Sequence, residues 1–110
     1  MLFRSAAIRK GLLEFLVLRI VARDTVYVAD ILQRLGGTEF ATQEGTLYPL
    51  LSRLRREGLL EYEWRESDLG PPRKYYRLTD AGRAQLAELE AYWQQLNHTL
   101  QTLGSTPCAE

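Results

Sequence analysis

The residues of this sequence best suited to chemistry are hydroxyls, cations and aromatics gathered in two short stretches. The first holds Thr42, Gln43, Gly45, Thr46, Tyr48, Ser52, Arg53 and Arg56. The second holds Arg73 and Lys74 directly after Gly70-Pro71-Pro72. Hydroxyl and guanidinium groups are donors that suit phosphate oxygens, and such contacts fix position without reading sequence. Bond-breaking chemistry is not suggested. His98 is the one histidine and Cys108 the one cysteine, so no metal cluster or Cys/His pair can be assembled within a single chain. No glycine-rich phosphate loop occurs, and nothing marks two of the many carboxylates as a catalytic pair. The sequence predicts no enzyme activity, no cofactor and no metal.

The first stretch reads as a helix. Leu47, Leu50, Leu51 and Leu54 recur at helical spacing and form one apolar face. Thr42 is a good N-cap, with Gln43 and Glu44 in the first turn, and Gly58 is placed to stop the helix. Pro49 is the anomaly, because an interior proline removes a hydrogen bond. Either the helix begins at Pro49 or it runs through it, and Leu47, which continues the apolar face, favours the longer helix. The opposite face is small near its N-terminal end (Thr42, Gly45, Thr46) and basic near its C-terminal end (Arg53, Arg56). Small residues let a helix lie deep in the major groove of DNA, where N-terminal residues meet base edges. Tyr48, Ser52, Arg53 and Arg56 could then hold phosphates. The same pattern could equally be the solvated face of a core helix.

The second stretch reads as the tip of a β-hairpin. Leu59 to Glu66 alternates in part, and Lys74 to Thr79 carries Tyr75, Tyr76 and Leu78. Between them Ser67 to Pro72 is expected to be a long turn-rich loop. Prolines stiffen such a tip, and a stiff basic tip suits phosphate contact. The acids Glu61, Glu63, Glu66 and Asp68 count against a uniformly basic hairpin. Tyr75 and Tyr76 are expected to pack within the strand.

Three further helices must position these stretches. Ser5 to Arg23 is apolar around most of its circumference (Ile8, Leu12, Leu13, Phe15, Leu16, Leu18, Ile20, Val21), which implies burial against its own domain and against another subunit. A short helix through Val28, Ile31, Leu32 and Leu35 is expected to be capped by Thr25 and ended by Gly36-Gly37. The last runs from Asp80 to Leu103, capped by Thr79 or Asp80. Leu86, Leu89, Trp93, Leu96, Leu100 and Leu103 follow one another at three- and four-residue steps, an a/d seam for dimerisation. The order of helix, helix, helix, hairpin, helix is mainly α with a small β-hairpin wing: a winged helix-turn-helix over residues 1–79, a dimerisation helix over 80–104 and a loose tail over 105–110.

Composition is compatible with this. The chain has 110 residues, 45% of them hydrophobic, enough for one ordinary domain with a modest core. Fourteen basic residues balance fourteen acidic ones, whereas DNA-binding domains are usually basic. The balance is uneven, with Arg4, Arg9, Lys10, Arg19 and Arg23 outnumbering the acids of the first helix. No signal-peptide cleavage pattern follows the first charges. The stretch from Leu12 to Ala22, interrupted by Glu14 and Arg19, is too short and too charged to span a membrane. One cysteine rules out an internal disulfide framework and suggests a reducing, cytoplasmic setting.

Two segments together carry a family resemblance. Glu44-Gly45-Thr46-Leu47-Tyr48-Pro49-Leu50-Leu51-Ser52-Arg53-Leu54 with Glu57-Gly58-Leu59, and Gly70 through Gly82, resemble the PadR-like transcriptional regulators, in particular the short subfamily with a single C-terminal helix. The resemblance implies a homodimer on a palindromic DNA operator, usually as a repressor. It implies that Gly45 to Tyr48 lies in the recognition helix, with Tyr48 near the DNA backbone, and that Arg73 and Lys74 lie in the wing. One departure is visible: the family's second helix commonly opens with Gly-Tyr, and here Val26 precedes Tyr27.

Trp93 is the one aromatic in the a/d seam. Some multidrug-sensing members of the family place a tryptophan in the corresponding helix, where two copies sandwich a planar ligand. Trp93 is therefore either a clamp for a small planar hydrophobic effector, with Asn97 and His98 nearby, or a large residue filling the dimer interface formed by Leu12, Leu16 and the seam. The alternative to a DNA-binding regulator is a winged-helix protein-interaction module, which the zero net charge and the acidic hairpin motivate.

Overall fold

The structure, a computed structural model, describes residues 2–68 and 70–104. Met1, Leu69 and residues 105–110, with Cys108 and the expected tail, lie outside the described residues. The elements are α1 (Leu2–Arg23), α2 (Val28–Leu35), α3 (Glu44–Arg56), β1 (Leu60–Ser67), β2 (Gly70–Leu78) and α4 (Asp80–Gly104). This is the expected winged-helix layout, four helices with one antiparallel hairpin.

One apolar core joins all of them. Leu13, Val17, Leu18 and Val21 of α1 meet Ile31 and Leu35 of α2, Leu47, Leu51 and Leu54 of α3, and Leu60, Tyr76 and Leu78 of the hairpin. Each fully buried Leu or Val removes apolar surface worth about 1.5–3 kcal/mol from water. The other side of α1 does not share in this. Leu12, Phe15 and Leu16 are only half-buried and Ile8 is exposed, so among the described residues the second apolar side is only partly covered.

α2 begins two residues later than its sequence suggests. Val26 exchanges two backbone hydrogen bonds with Tyr76, at 3.1 and 2.6 Å, and that pairing needs extended backbone, so Thr25 cannot cap a helix. Tyr27 is the N-cap, and its N–H donates to the Asp30 carboxylate at 3.3 Å. Gly36 and the left-handed Gly37 (φ 81) end the helix as expected.

α3 likewise starts one step on, and the longer helix is the one formed, with Pro49 inside it. Gln43, not Thr42, is the N-cap. Its carbonyl accepts from the N–H groups of both Thr46 and Leu47 at 3.0 Å. The end of α3 is a Schellman motif. Gly58 takes φ 80, its N–H donates to the Arg55 carbonyl at 3.0 Å, and the Leu59 N–H donates to the Leu54 carbonyl at 2.9 Å.

The hairpin is longer and its tip tighter than expected. Leu60 pairs with Leu78, and pairing continues to Ser67 with Gly70, leaving only Asp68 and Leu69 between the strands. Pro71 and Pro72 belong to β2, where they lie opposite the single residue Glu66 at a register shift. A bulge in a two-stranded ribbon tolerates residues that cannot donate to a ladder, which is why a proline pair that reads as loop sits in a strand.

α4 opens on Thr79. Its side-chain oxygen accepts from the Gly82 N–H at 2.9 Å, and its own N–H donates to the Leu59 carbonyl at 3.1 Å. Leu86 is buried in the chain's own core and Leu89 packs partly against it. The first two seam positions are thus used internally, and the exposed seam begins at Trp93. Beyond Glu90 every described residue of α4 is exposed, and the projecting helix gives a long dimension of 62 Å against 29 and 22 Å.

Gly82 is fixed by contact. A Cβ there would sit 2.1 Å from the Leu59 carbonyl oxygen. In an open helix Gly→Ala stabilises by up to about 1 kcal/mol. Here Gly82→Ala is expected to destabilise by about 2 kcal/mol or more, read as a lowered midpoint in urea unfolding. Gly45→Ala, with nothing within 4 Å of its added Cβ, is the control and is expected to move the midpoint the other way.

Candidate nucleic-acid interface

The outward side of α3 carries Gln43, Gly45, Thr46, Tyr48, Pro49, Ser52 and Arg56, all exposed, with Thr42 half-buried just before the helix. The apolar face counted from the sequence is buried at all four positions, Leu47, Leu50, Leu51 and Leu54. Two grooves flank this outward side.

The first groove lies between α3 and α1. It is lined by Thr42, Thr46, Pro49 and Arg56, with Arg9 and Lys10 across from them. Arg53 also lines it but is engaged. It donates to Glu14 of α1 at 2.7 Å and to Glu57 at 3.0 Å, and these bonds hold its guanidinium more firmly protonated than usual. Within the chain alone, Arg53 is thus a tie between two helices at the edge of the groove. Arg9 is similarly occupied, donating to the backbone carbonyls of Glu39 and Ala41 and lying 5.6 Å from the Phe40 ring.

The second groove lies between α3 and the wing, lined by Tyr27, Glu44, Tyr48, Trp64, Arg73 and Lys74 among others. The ribbon's two faces support Arg73 and Lys74 differently. On one, the Lys74 ammonium lies 4.6 Å from the Tyr62 ring and 5.5 Å from that of Trp64. On the other, the Arg73 guanidinium lies 4.6 Å over Tyr27, whose ring is 5.3 Å from Tyr75, and Arg65 covers Tyr75 at 4.9 Å. Cation–π contact of this kind is worth roughly 0.5–1 kcal/mol at an exposed site. Tyr76 packs inside, as expected of it, and burial pushes its phenol up. Tyr75 instead forms a platform. The period of two along β2 puts Arg73 and Tyr75 on one face, a signal available in the sequence. Tyr27 as the support of Arg73 had no such local signal.

Two of the wing's acids, Glu61 and Glu63, are answered within it. Arg77 donates to Glu61 at 2.9 Å and also to Glu63, and Arg65 donates to Glu63 at 3.2 Å. The Arg65 and Arg77 guanidiniums hold the Glu63 carboxyl below the ordinary range. Arg55, which the helical wheel left unassigned, lies 4.9 Å over Tyr62 and joins the end of α3 to the ribbon.

Away from these grooves, Trp93 lines an apolar hollow of about 360 Å³ with Leu12, Phe15, Leu16, Arg19 and Phe40. Asn97 and His98 are exposed further along α4 and do not line it. Among the described residues no group of three or more His, Cys, Asp and Glu side chains is placed to hold a metal ion, and no helix is long and apolar enough to cross a membrane.

Comparison with known proteins agrees with this geometry. Residues 17–88 match the transcriptional regulator PadR-like family. A PadR-like transcription factor from Bacteroides fragilis is 46% identical and superimposes with a TM-score of 0.80, over 90% of this chain and 96% of that one. A PadR-like transcriptional regulator from Bacillus cereus is 38% identical with a TM-score of 0.78, over 87% and 94% of the two chains. Transcriptional regulator Rv3488 of Mycobacterium tuberculosis is 41% identical over 86 residues, 78% of this chain and 75% of that protein. With the match spanning more than half of the sequence and the fold shared over 90% of it, this chain belongs to the PadR-like family of transcriptional regulators.

Proposed function

We propose that this regulator is a cytoplasmic homodimer that binds a palindromic operator and represses transcription. A small planar effector, or another signal at the dimer centre, releases it. The observation that carries the dimer is the bare seam of α4: Trp93, Leu96, Leu100 and Leu103 are 40, 40, 56 and 73% exposed. Four large apolar side chains in one line form a contiguous patch of the kind that marks an interface. The partly covered side of α1, with Leu12 and Leu16, adjoins it through the hollow at Trp93. A second copy of the same seam is the cover that fits, by self-complementarity about a two-fold axis.

In this reading residues 1–79 bind DNA and 80–104 dimerise. Thr42, Gln43, Gly45 and Thr46 approach base edges in the major groove, and Tyr48, Ser52 and Arg56 hold phosphates. Arg53 serves α3 by tying it to Glu14. Arg73 and Lys74 grip backbone phosphate on aromatic supports that keep both cations extended. The neutral net charge does not oppose this, because Arg77 and Arg65 compensate Glu61 and Glu63, the wing acids nearest the domain. An effector against Trp93, reached by Asn97 one turn further along α4 only from the dimer side, would alter the angle between the two α4 helices and so the spacing of the two α3 helices. That spacing must be about 34 Å to meet successive major grooves.

Gel shift with DNA flanking the protein's own gene tests the interface. Arg73→Ala with Lys74→Ala is expected to weaken binding about tenfold and to reduce the slope of log affinity on log salt by about two. Unaltered affinity and slope would remove the wing from the reading. Light scattering after gel filtration tests the assembly: the intact protein is expected at twice the chain mass, and Leu96→Lys with Leu100→Lys at the mass of one chain, with operator binding lost. Quenching of tryptophan fluorescence by a planar cationic dye tests the effector site. The signal is expected to fall in the intact protein and to persist in Trp93→Leu, where Trp64 is the remaining emitter; equal quenching in both would exclude the clamp.

A further inference from the structure

Glu44 is the first residue of α3 and is exposed. Among the described residues it is the acid that lines the groove between α3 and the wing. Other acids on these elements are engaged or lie elsewhere. Glu57 accepts from Arg53, Glu61 from Arg77, and Glu63 from Arg65 and Arg77, while Glu66 and Asp68 belong to the wing tip outside the groove. Among the described residues the Glu44 carboxylate has no hydrogen-bond or ion-pair partner. Its groove contains two cations, yet Arg73 is spread over Tyr27 and Lys74 over Tyr62 and Trp64.

An unpaired carboxylate on a surface that approaches phosphates weakens binding by like-charge repulsion unless it meets a donor. An ionised carboxylate can only accept. In the major groove guanine offers two acceptors, N7 and O6, and thymine offers the O4 acceptor. Adenine sets its N6 donor beside the N7 acceptor, and cytosine offers the N4 amino donor. The N-terminal residues of a helix in that groove are the ones that meet base edges. We infer that Glu44 is a specificity residue that selects cytosine. Its carboxylate accepts a hydrogen bond from the N4 amino group of one cytosine in each half-site, and guanine or thymine at that position is rejected by acceptor facing acceptor. This rests on the DNA-binding reading above and deepens it.

A carboxylate in the first turn also favours the helix through its dipole. That role would alter stability and leave sequence choice untouched, so the two separate cleanly. The test is selection from a pool of randomised DNA duplexes with the full chain, its Glu44→Ala and its Glu44→Gln variants, followed by titration of single-base substitutions and a melting curve for each protein. The intact protein is expected to enrich a cytosine at one position of each half-site, and replacing that base is expected to lower its affinity about fivefold or more. Glu44→Ala is expected to lose the preference at that position alone and to bind random duplex more tightly. Glu44→Gln is expected to enrich adenine there, since an amide can bond adenine N6 and N7 together. If Glu44→Ala selects the same motif with the same penalty at every position, whether or not its melting temperature falls, the cytosine assignment is overturned and DNA binding stands. If the intact protein selects no motif and binds without salt dependence, the DNA-binding reading falls and this inference with it.

Discussion

The structure turns on the contact between the Leu59 carbonyl and the first turn of α4. That carbonyl accepts from the Thr79 N–H, and the space against it is so narrow that a Cβ at residue 82 would lie 2.1 Å away. Three elements meet at this point: the end of α3, turned by the left-handed Gly58, the base of the hairpin, and the start of α4. The Thr79 side chain bonds both the Gly58 carbonyl and the Gly82 N–H, so one residue joins the stop of one helix to the cap of another. The direction in which α4 leaves the domain, and the angle of the wing to α3, are set by the same few atoms. Apolar burial supplies the stability of the core, but it is non-directional, and this polar joint is what gives the elements their orientation.

Most features that depend on near neighbours were legible in the sequence, although the cap of α3 falls on Gln43 and not on Thr42. The four leucines of α3, the glycine that ends it, the Thr79 cap and the seam of α4 all follow from periodicity and capping within a few residues, and each is found where its pattern puts it. Features that depend on distant partners were not. Thr25 looked like a cap because nothing nearby indicates that Val26 pairs with Tyr76. Arg53 looked like a free cation because Glu14, its partner, is on another helix. The proline pair looked like a loop because a bulged ribbon is recognised only once both strands are in register. The seam itself was legible as a line of leucines. Its division into an internal part ending at Leu89 and an exposed part beginning at Trp93 required the packing of α4 on the domain.

Charge shows the same separation of scales. A net charge of zero describes the chain and not any face of it. Arg77 and Arg65 answer Glu61 and Glu63 of the wing, Arg53 answers Glu14 and Glu57, and Arg19 of α1 answers Glu90 of α4. Such exposed pairs add little stability individually. Their effect is on the field: they cancel opposite charges locally and leave Arg56, Arg73 and Lys74 as outward cations around α3. Aromatic rings then hold two of those cations in place without neutralising them, which a carboxylate partner would not do.

The bulged prolines of β2 have a bearing on solubility. A two-stranded ribbon has two open edges, and each is a template on which a strand from another molecule can add. Pro71 and Pro72 deprive β2 of two successive N–H groups, and the bulge opposite Glu66 increases the local twist, so a flat incoming strand finds neither donors nor a matching register. Toward the domain, Val26 already occupies part of the remaining edge at Tyr76. The ribbon can therefore reach into solvent as a long hairpin while resisting the sheet-to-sheet growth that begins aggregates.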